Sequence, residues 1–322
     1  MKLGVFTVLF SDESFEEMLD RVVAAGLQAV EIGTGGYPGN AHCPIDDLLE
    51  SDDLRNNYLK QISDRGLVIS AFSCHGNPIS PDAEFAKTSH EALIKSIKLA
   101  SLCDVPVVNC FSGVAGDHEE AKYPNWPTVA WPTEYADVYH WQWEEKLIPY
   151  WKAIGKIAQE SNVKIGLELH GGFLVHTPYT MLKLREATCD AIGANLDPSH
   201  LWWQGIDPVA AIKILGKAGA IHHFHAKDTY IDQDNVNMYG LTDMQPYGKL
   251  QTRAWTFRSV GCGHDVKEWS DMMSALRLYG YDHVVSIEHE DALMSINEGF
   301  MRAVRNLEAI LINEQPTDMW WA

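Results

Sequence analysis

Four short stretches of the chain carry side chains able to do chemistry. Gly166-Leu167-Glu168-Leu169-His170 sets a carboxylate and an imidazole two residues apart at the end of an apolar run, just before Gly171-Gly172. Asp197-Pro198-Ser199-His200, His225-Ala226-Lys227-Asp228 and Ser286-Ile287-Glu288-His289-Glu290 each close another apolar run in the same way. Side chains alternate across a strand, so Glu168 and His170 emerge on one face. A charge at such a place needs a partner, a cation or a substrate. Glu168, Asp197, His225 and Glu288 together form a hard, oxygen-rich ligand set. It suits Mn²⁺, Mg²⁺ or Co²⁺, and it can hold Zn²⁺. A single strand-end glutamate is ordinarily a loop cap or a salt-bridge partner. Four ligand-type residues on successive strand ends read as a metal centre.

Their neighbours suggest acid–base and substrate-binding work. His170 lies on Glu168's face but nearer the mouth, and a nearby cation would keep it neutral and able to act as a general base. A rim histidine bonded to water is the plainer alternative. His200, Lys227 and Glu290 are placed to contact a substrate. Of His222 and His223, one faces the barrel wall and both are readable as structural. His223 shares His225's parity, which makes it a further candidate for ligand contact.

The elements that must position these groups alternate regularly. Apolar runs near 3–8, 29–33, 68–75, 105–111, 164–170, 192–197, 220–228 and 283–288 read as strands. Helical periodicity lies between them, at about 52–65, 89–103, 141–160, 180–188, from 208, 266–279 and 296–313. The first helix follows Asp12 or Ser14 as its cap and closes at Gly26. Eight such units without a Gly/Ser linker predict an α/β fold, a (β/α)8 TIM barrel over residues 1–315. A doubly wound open sheet is the alternative, and the count of eight favours the barrel. Catalytic groups then sit at the C-terminal strand ends, where all four motifs fall.

Two segments, about 112–140 and 229–264, break the period and read as long irregular insertions at that face. Gly33-Thr34-Gly35-Gly36-Tyr37-Pro38-Gly39 lacks dinucleotide-loop spacing and reads as a tight loop over a site. The tail, 316–322, ends in Trp320-Trp321-Ala322, which predicts that it covers the barrel or meets a partner.

Composition narrows the class. A net charge of −19 argues against nucleic acid as a partner. No leader and no long apolar span appears, so neither export nor a membrane is expected. The six cysteines show no CxxC spacing and fit reduced thiols in a cytoplasmic protein.

The four motifs resemble those of the xylose-isomerase-like barrel superfamily of sugar phosphate isomerases and epimerases, over nearly the whole chain. The resemblance implies Glu168, Asp197, His225 and Glu288 as ligands to a divalent metal, often Mn²⁺. In ketose 3-epimerases of that superfamily the first and last glutamates act as paired acid–base groups, which here are Glu168 and Glu288. His170, the glycine loop and the aromatic insertions look more like the catalytic subunit of bacterial C-glycoside deglycosidases. That resemblance implies a carbon–carbon lyase cleaving a 3-oxo sugar from an aromatic aglycone. It also implies a small β-rich partner subunit in a hetero-oligomer. The alternatives are an isomerase, epimerase or inosose-dehydratase type of enzyme, or a barrel that has lost catalysis and only binds sugar. A DNA-repair endonuclease of the same superfamily would need a basic groove, and the net charge has the wrong sign.

Overall fold

The computed structural model describes residues 1–321. The first half of the chain alternates β1 (Lys2–Phe6), α1 (Phe15–Ala24), β2 (Ala29–Gly33), a helix pair α2 (Ile45–Glu50) and α3 (Asp52–Ser63), β3 (Val68–Ser73), α4 (Ala83–Leu102) and β4 (Val107–Cys110). Next come α5 (Thr133–Trp141), a π-helical stretch (Gln142–Leu147), α6 (Ile148–Glu160), β5 (Lys164–Glu168), α7 (Pro178–Ala187) and β6 (Ile192–Leu196). The short α8 (Pro198–Trp202) and α9 (Pro208–Lys217) lead to β7 (Ile221–Ala226). The remainder is β8 (Asp228–Ile231), α10 (Gln233–Tyr239), β9 (Trp255–Arg258), α11 (Val266–Leu278), β10 (Val284–Ile287) and α12 (Ile296–Glu308).

Eight parallel strands close into a barrel in the order β1, β10, β7, β6, β5, β4, β3, β2, and the helices surround it. Every residue of β2, β6 and β10 is buried, because a parallel strand in this setting is covered on both faces. Apart from α2, α5 and α6, the helices start where a side chain takes up a free N–H group of the first turn. Ser14 rather than Asp12 caps α1, in a reciprocal arrangement with Glu17. Asp82 caps α4 by accepting from the Glu84 and Phe85 amides, which starts that helix six residues earlier than its apolar period suggests. No helix among the described residues is long and apolar enough to cross a membrane.

Both insertions are more ordered than their composition predicts. Residues 112–140 contain most of α5, and the preceding loop is pinned by Gln142. Its buried Nε2 donates to the carbonyls of Ala115, Gly116 and Asn125 at 3.1, 2.9 and 2.7 Å. Residues 229–264 hold an antiparallel hairpin, β8 with β9, and α10 between its strands. Asp228, one residue beyond Lys227, anchors the hairpin's return. Its carboxylate accepts from the amides of Thr229, Gly261, Gly263 and His264 and from the Trp269 indole, at 2.8–3.2 Å. The tail does not cover the barrel: α12 ends at Glu308, and Trp320 and Trp321 are exposed. Ala322 lies outside the described residues.

Candidate active site

The barrel brings the four ligand-type residues to one point. Glu168 ends β5, Asp197 follows β6, His225 lies in β7 and Glu288 follows β10. These four strands are neighbours in the barrel, so the four side chains occupy one side of its mouth. Their ligand atoms lie within 4.8 Å of one another. Glu168, Asp197 and His225 are buried, and Glu288 is partly so.

The opposite strands supply the wall. His75, just beyond β3, points Nε2 at Glu168 Oε2 from 2.9 Å. Phe6, at the end of β1, stacks on the His225 ring with centroids 5.7 Å apart. Tyr37 and Pro38, from the glycine-rich loop, and Phe111, after β4, complete a cavity of about 430 Å³ over the carboxylates. That is a usual size for a small-molecule site. Gly36 makes this packing possible: at φ +67° its missing Cβ would stand 2.0 Å from the His75 carbonyl oxygen.

Several polar atoms converge here without ordinary hydrogen bonds. His75 Nε2, His200 Nε2, His225 Nδ1 and Asp197 Oδ2 are buried and lack a partner of acceptable geometry. Charged neighbours nonetheless stand 2.9–3.5 Å away. Buried polar atoms are rarely left so. Three carboxylates and an imidazole aimed at one point form a cradle for a hard divalent cation, and the residues fit one.

The electrostatics follow from burial and charge. Burial alone would raise the Glu168 pKa, but the contacts of His200 and His75 outweigh it and hold the group well below the carboxylate range. Burial likewise would raise Glu288, and Lys227 and His225 bring it down to about 2. Asp197, fully buried, goes the other way, because Lys227 only partly offsets its desolvation and the Glu168 charge. Lys227 Nζ donates to Glu288 at 2.8 Å and reaches Asp197 and Glu290 at 3.1 and 3.2 Å. It also lies over the Phe257 ring, 4.7 Å from the centroid.

His170 lines the cavity, its ring 3.9 Å from that of His200. Burial lowers its pKa, which leaves it neutral near pH 7. His200, Lys227 and Glu290 line the same cavity. His223 does not, and here the expectation of a ligand contact is corrected. It lies fully buried a layer below, with Nδ1 beside Asn109 and Asn195 and Nε2 3.2 Å from Ser70 Oγ. Its parity with His225 is right, but it stands one pleat deeper, where the barrel is packed solid. His222 occupies the barrel floor, against Gly193 and the Ile165 carbonyl.

Two participants escape a reading of the sequence. His75 follows a strand that carries no other ligand-type residue. Glu31, fully buried in β2, lies beneath His225 with Nε2 2.9 Å from its Oε1. Only the oddity of one carboxylate inside Ala29-Val30-Glu31-Ile32-Gly33 hints at it.

Beside the cavity, the hairpin and the residues after Glu288 enclose a second chamber of about 330 Å³. Tyr230, Leu250, Arg253 and Trp255 line it, and it shares Tyr247, Phe257 and Glu290 with the first.

Comparison with known proteins agrees with this architecture. The uncharacterized protein YfiH of Bacillus subtilis (strain 168) is 37% identical over 311 residues, covering 96% of this chain and 98% of that protein. Among solved structures, the probable 3-DHS dehydratase AsbF involved in petrobactin synthesis, from Bacillus anthracis, superposes with a TM-score of 0.64 at 19% identity, covering 96% of this chain and 99% of its own. A D-tagatose 3-epimerase-like protein gives 0.61 at 20% identity, covering 96% and 98%. At such identities the likeness to these structures is one of fold. Residues 19–310 match the family model described as xylose isomerase-like TIM barrel, and the chain belongs to that family.

Proposed function

We propose that the protein is a divalent-metal-dependent enzyme of the sugar isomerase and epimerase class, moving a proton on a carbon next to a sugar carbonyl. The observation that carries this reading is the convergence of Glu168 and Glu288, from nearby strands, on the point that Asp197 and His225 also face. A metal held by these four would act as a Lewis acid toward a carbonyl and its neighbouring hydroxyl. Mn²⁺ is the ion we expect.

The chain's own residues divide the remaining work. Glu168, kept ionised by His200 and His75, is ready to accept a proton from carbon. Glu288 faces the same volume and can return one. Lys227 holds Glu288 and Glu290 in place, and Glu290 and His200 offer polar contacts to sugar hydroxyls. His170, neutral and at the cavity wall, is the alternative base. Tyr37, Pro38 and Phe111 give the substrate an apolar wall beside the carboxylates.

The test begins with metal analysis of the purified protein and continues with ketohexoses in D₂O. Deuterium entering next to the carbonyl, with or without a new epimer, is expected. It should be lost in Glu168→Gln and Glu288→Gln. No bound divalent ion and no exchange with any ketose would overturn the reading.

A second reading is favoured by one observation, the aromatic chamber that adjoins the cavity. It would accept a planar group carried at the sugar's C1. On this reading a base takes the C2 proton of a 3-oxo C-glycoside, and the C2 electron pair expels the aglycone from C1 as the aglycone carbon gains a proton. The reading brings with it a small β-rich partner subunit. Incubation with a 3-oxo C-glucoside, with and without that subunit, separates the two. Free aglycone selects the lyase, and exchange without it selects the isomerase class.

A further inference from the structure

Beneath the cavity lies a second group of ligand-type side chains. Glu31, His223 and His225 bring such atoms within 4.8 Å of one another, all fully buried. Two roles are possible in principle, a second ion site or a support for the first.

The hydrogen bonds decide between them. Glu31 Oε1 accepts from Ser73 Oγ at 2.5 Å, Asn109 Nδ2 at 2.9 Å and His225 Nε2 at 2.9 Å. Oε2 accepts from Ser286 Oγ at 2.7 Å and lies 3.0 Å from the same His225 nitrogen. Both oxygens are therefore engaged, and His223 is spoken for by Asn109, Asn195 and Ser70. Little acceptor capacity is left for an ion.

What remains is the effect on His225. Asn195 Nδ2 also approaches Nε2, at 3.1 Å, but two N–H groups cannot bond each other, so the proton on Nε2 goes to Glu31. The ring's other nitrogen, Nδ1, then faces upward, 3.0 Å from Glu288 and 3.5 Å from Glu168. Donors from β3, β4 and β10 fix Glu31 itself, and Phe6 packs on the His225 ring. A metal-bound histidine commonly has its second nitrogen held by a carboxylate, which sets its tautomer and aim.

We propose that Glu31 is the positioning residue of the metal centre: it holds the His225 Nε2 proton and so presents Nδ1 as the ligand. This rests on the metal reading above. Glu31 lies on β2, on the far side of the barrel from the strands that carry the ligands, so the floor of the barrel sets the quality of the site at its mouth.

The experiment is titration of purified protein with MnCl₂, followed calorimetrically or by the Mn²⁺ paramagnetic resonance signal. Glu31→Gln should bind about 10- to 100-fold more weakly. Ser70→Ala, which removes a buried polar contact from the same interior without touching His225 or Glu31, should bind as wild type does. In a His225→Ala background Glu31→Gln should cost nothing further, because its effect runs through the imidazole. An equal loss with and without His225 would show that Glu31 acts only by its charge, and would overturn the assignment. Should Glu31→Gln fail to fold, ¹⁵N spectra of the histidines in wild-type protein with ZnCl₂ decide the matter. Nδ1 metal-bound with Nε2 protonated is expected, and an ion on Nε2 refutes the proposal. Wild-type protein that binds neither ion sinks the metal reading, whereas tight binding left intact in Glu31→Gln sinks only this one.

Discussion

Replacing Asp228 by asparagine should loosen the wall of the active site from a distance. Its carboxylate accepts from four backbone amides, from the Trp269 indole and from the His264 ring, 2.9 Å from Nδ1. Asparagine keeps one acceptor oxygen but turns an NH₂ toward N–H groups that cannot receive it. About three contacts are lost, at roughly 1–1.5 kcal/mol each, so the cost is about 3–5 kcal/mol. Unfolding entropy of about 2.1 cal/mol/K per residue puts this chain near 0.7 kcal/mol per degree, and the melting temperature should fall by roughly 4–7 °C. Differential scanning calorimetry measures it. The same anchor sets the hairpin that carries Phe257 over Lys227, so substrate binding should weaken even though no group touching substrate has changed. A fall of less than about 1 °C would show that water can replace the carboxylate, and the reasoning would be wrong.

Other perturbations read different parts of the structure. His170→Ala should leave Mn²⁺ affinity within a factor of about two and reduce turnover by about 10²–10⁴ if His170 is the base. Loss of the ion in that variant would make His170 a ligand instead. Gly171→Ala would place a Cβ 2.0 Å from the Trp203 ring and should destabilise by about 1–3 kcal/mol. Because Trp203 stacks on Trp255, tryptophan fluorescence should shift in that variant, and an unchanged spectrum would contradict the packing. Burial favours neutral His225, but flanking Glu31 and Glu288 outweigh it and hold the pKa well above the usual value. Without the ion the ring is therefore doubly protonated near pH 7. Metal uptake must displace the Nδ1 proton, so Mn²⁺ affinity should rise with pH. Calorimetry in buffers of differing ionisation enthalpy should find a proton released, and none would count against an imidazolium.

The sequence reveals the barrel and the gathering of the four ligand-type residues because both are written locally. An apolar run that ends in a ligand-type residue announces a strand end, and strand parity keeps Glu168 and His170 on one face. Contacts made across the barrel leave no such mark. Glu31 meets His225 across 194 positions, and His75 reaches Glu168 from a separate strand. His223 satisfies the parity rule and still lies outside the cavity, because parity fixes the face of a strand but not the depth along it. The hairpin in residues 229–264 was hidden for a related reason: β8 begins one residue after Lys227, so its first residues read as a continuation of β7. The early start of α4 depended on recognising Asp82 as a cap rather than on hydrophobic period.

That direct join between β7 and the hairpin has an evolutionary consequence. One continuous backbone runs from His225 through Lys227 into the wall of the outer chamber. The tip between Ile231 and Trp255 is closed at its base by its own strand pairing. Its residues Tyr247, Leu250 and Arg253 can thus change the lining of the chambers while the barrel strands that carry Glu168 and His225 stay put. Exchanging residues 232–254 among relatives should reshape both chambers without moving the strand ends that gather the four ligand-type residues.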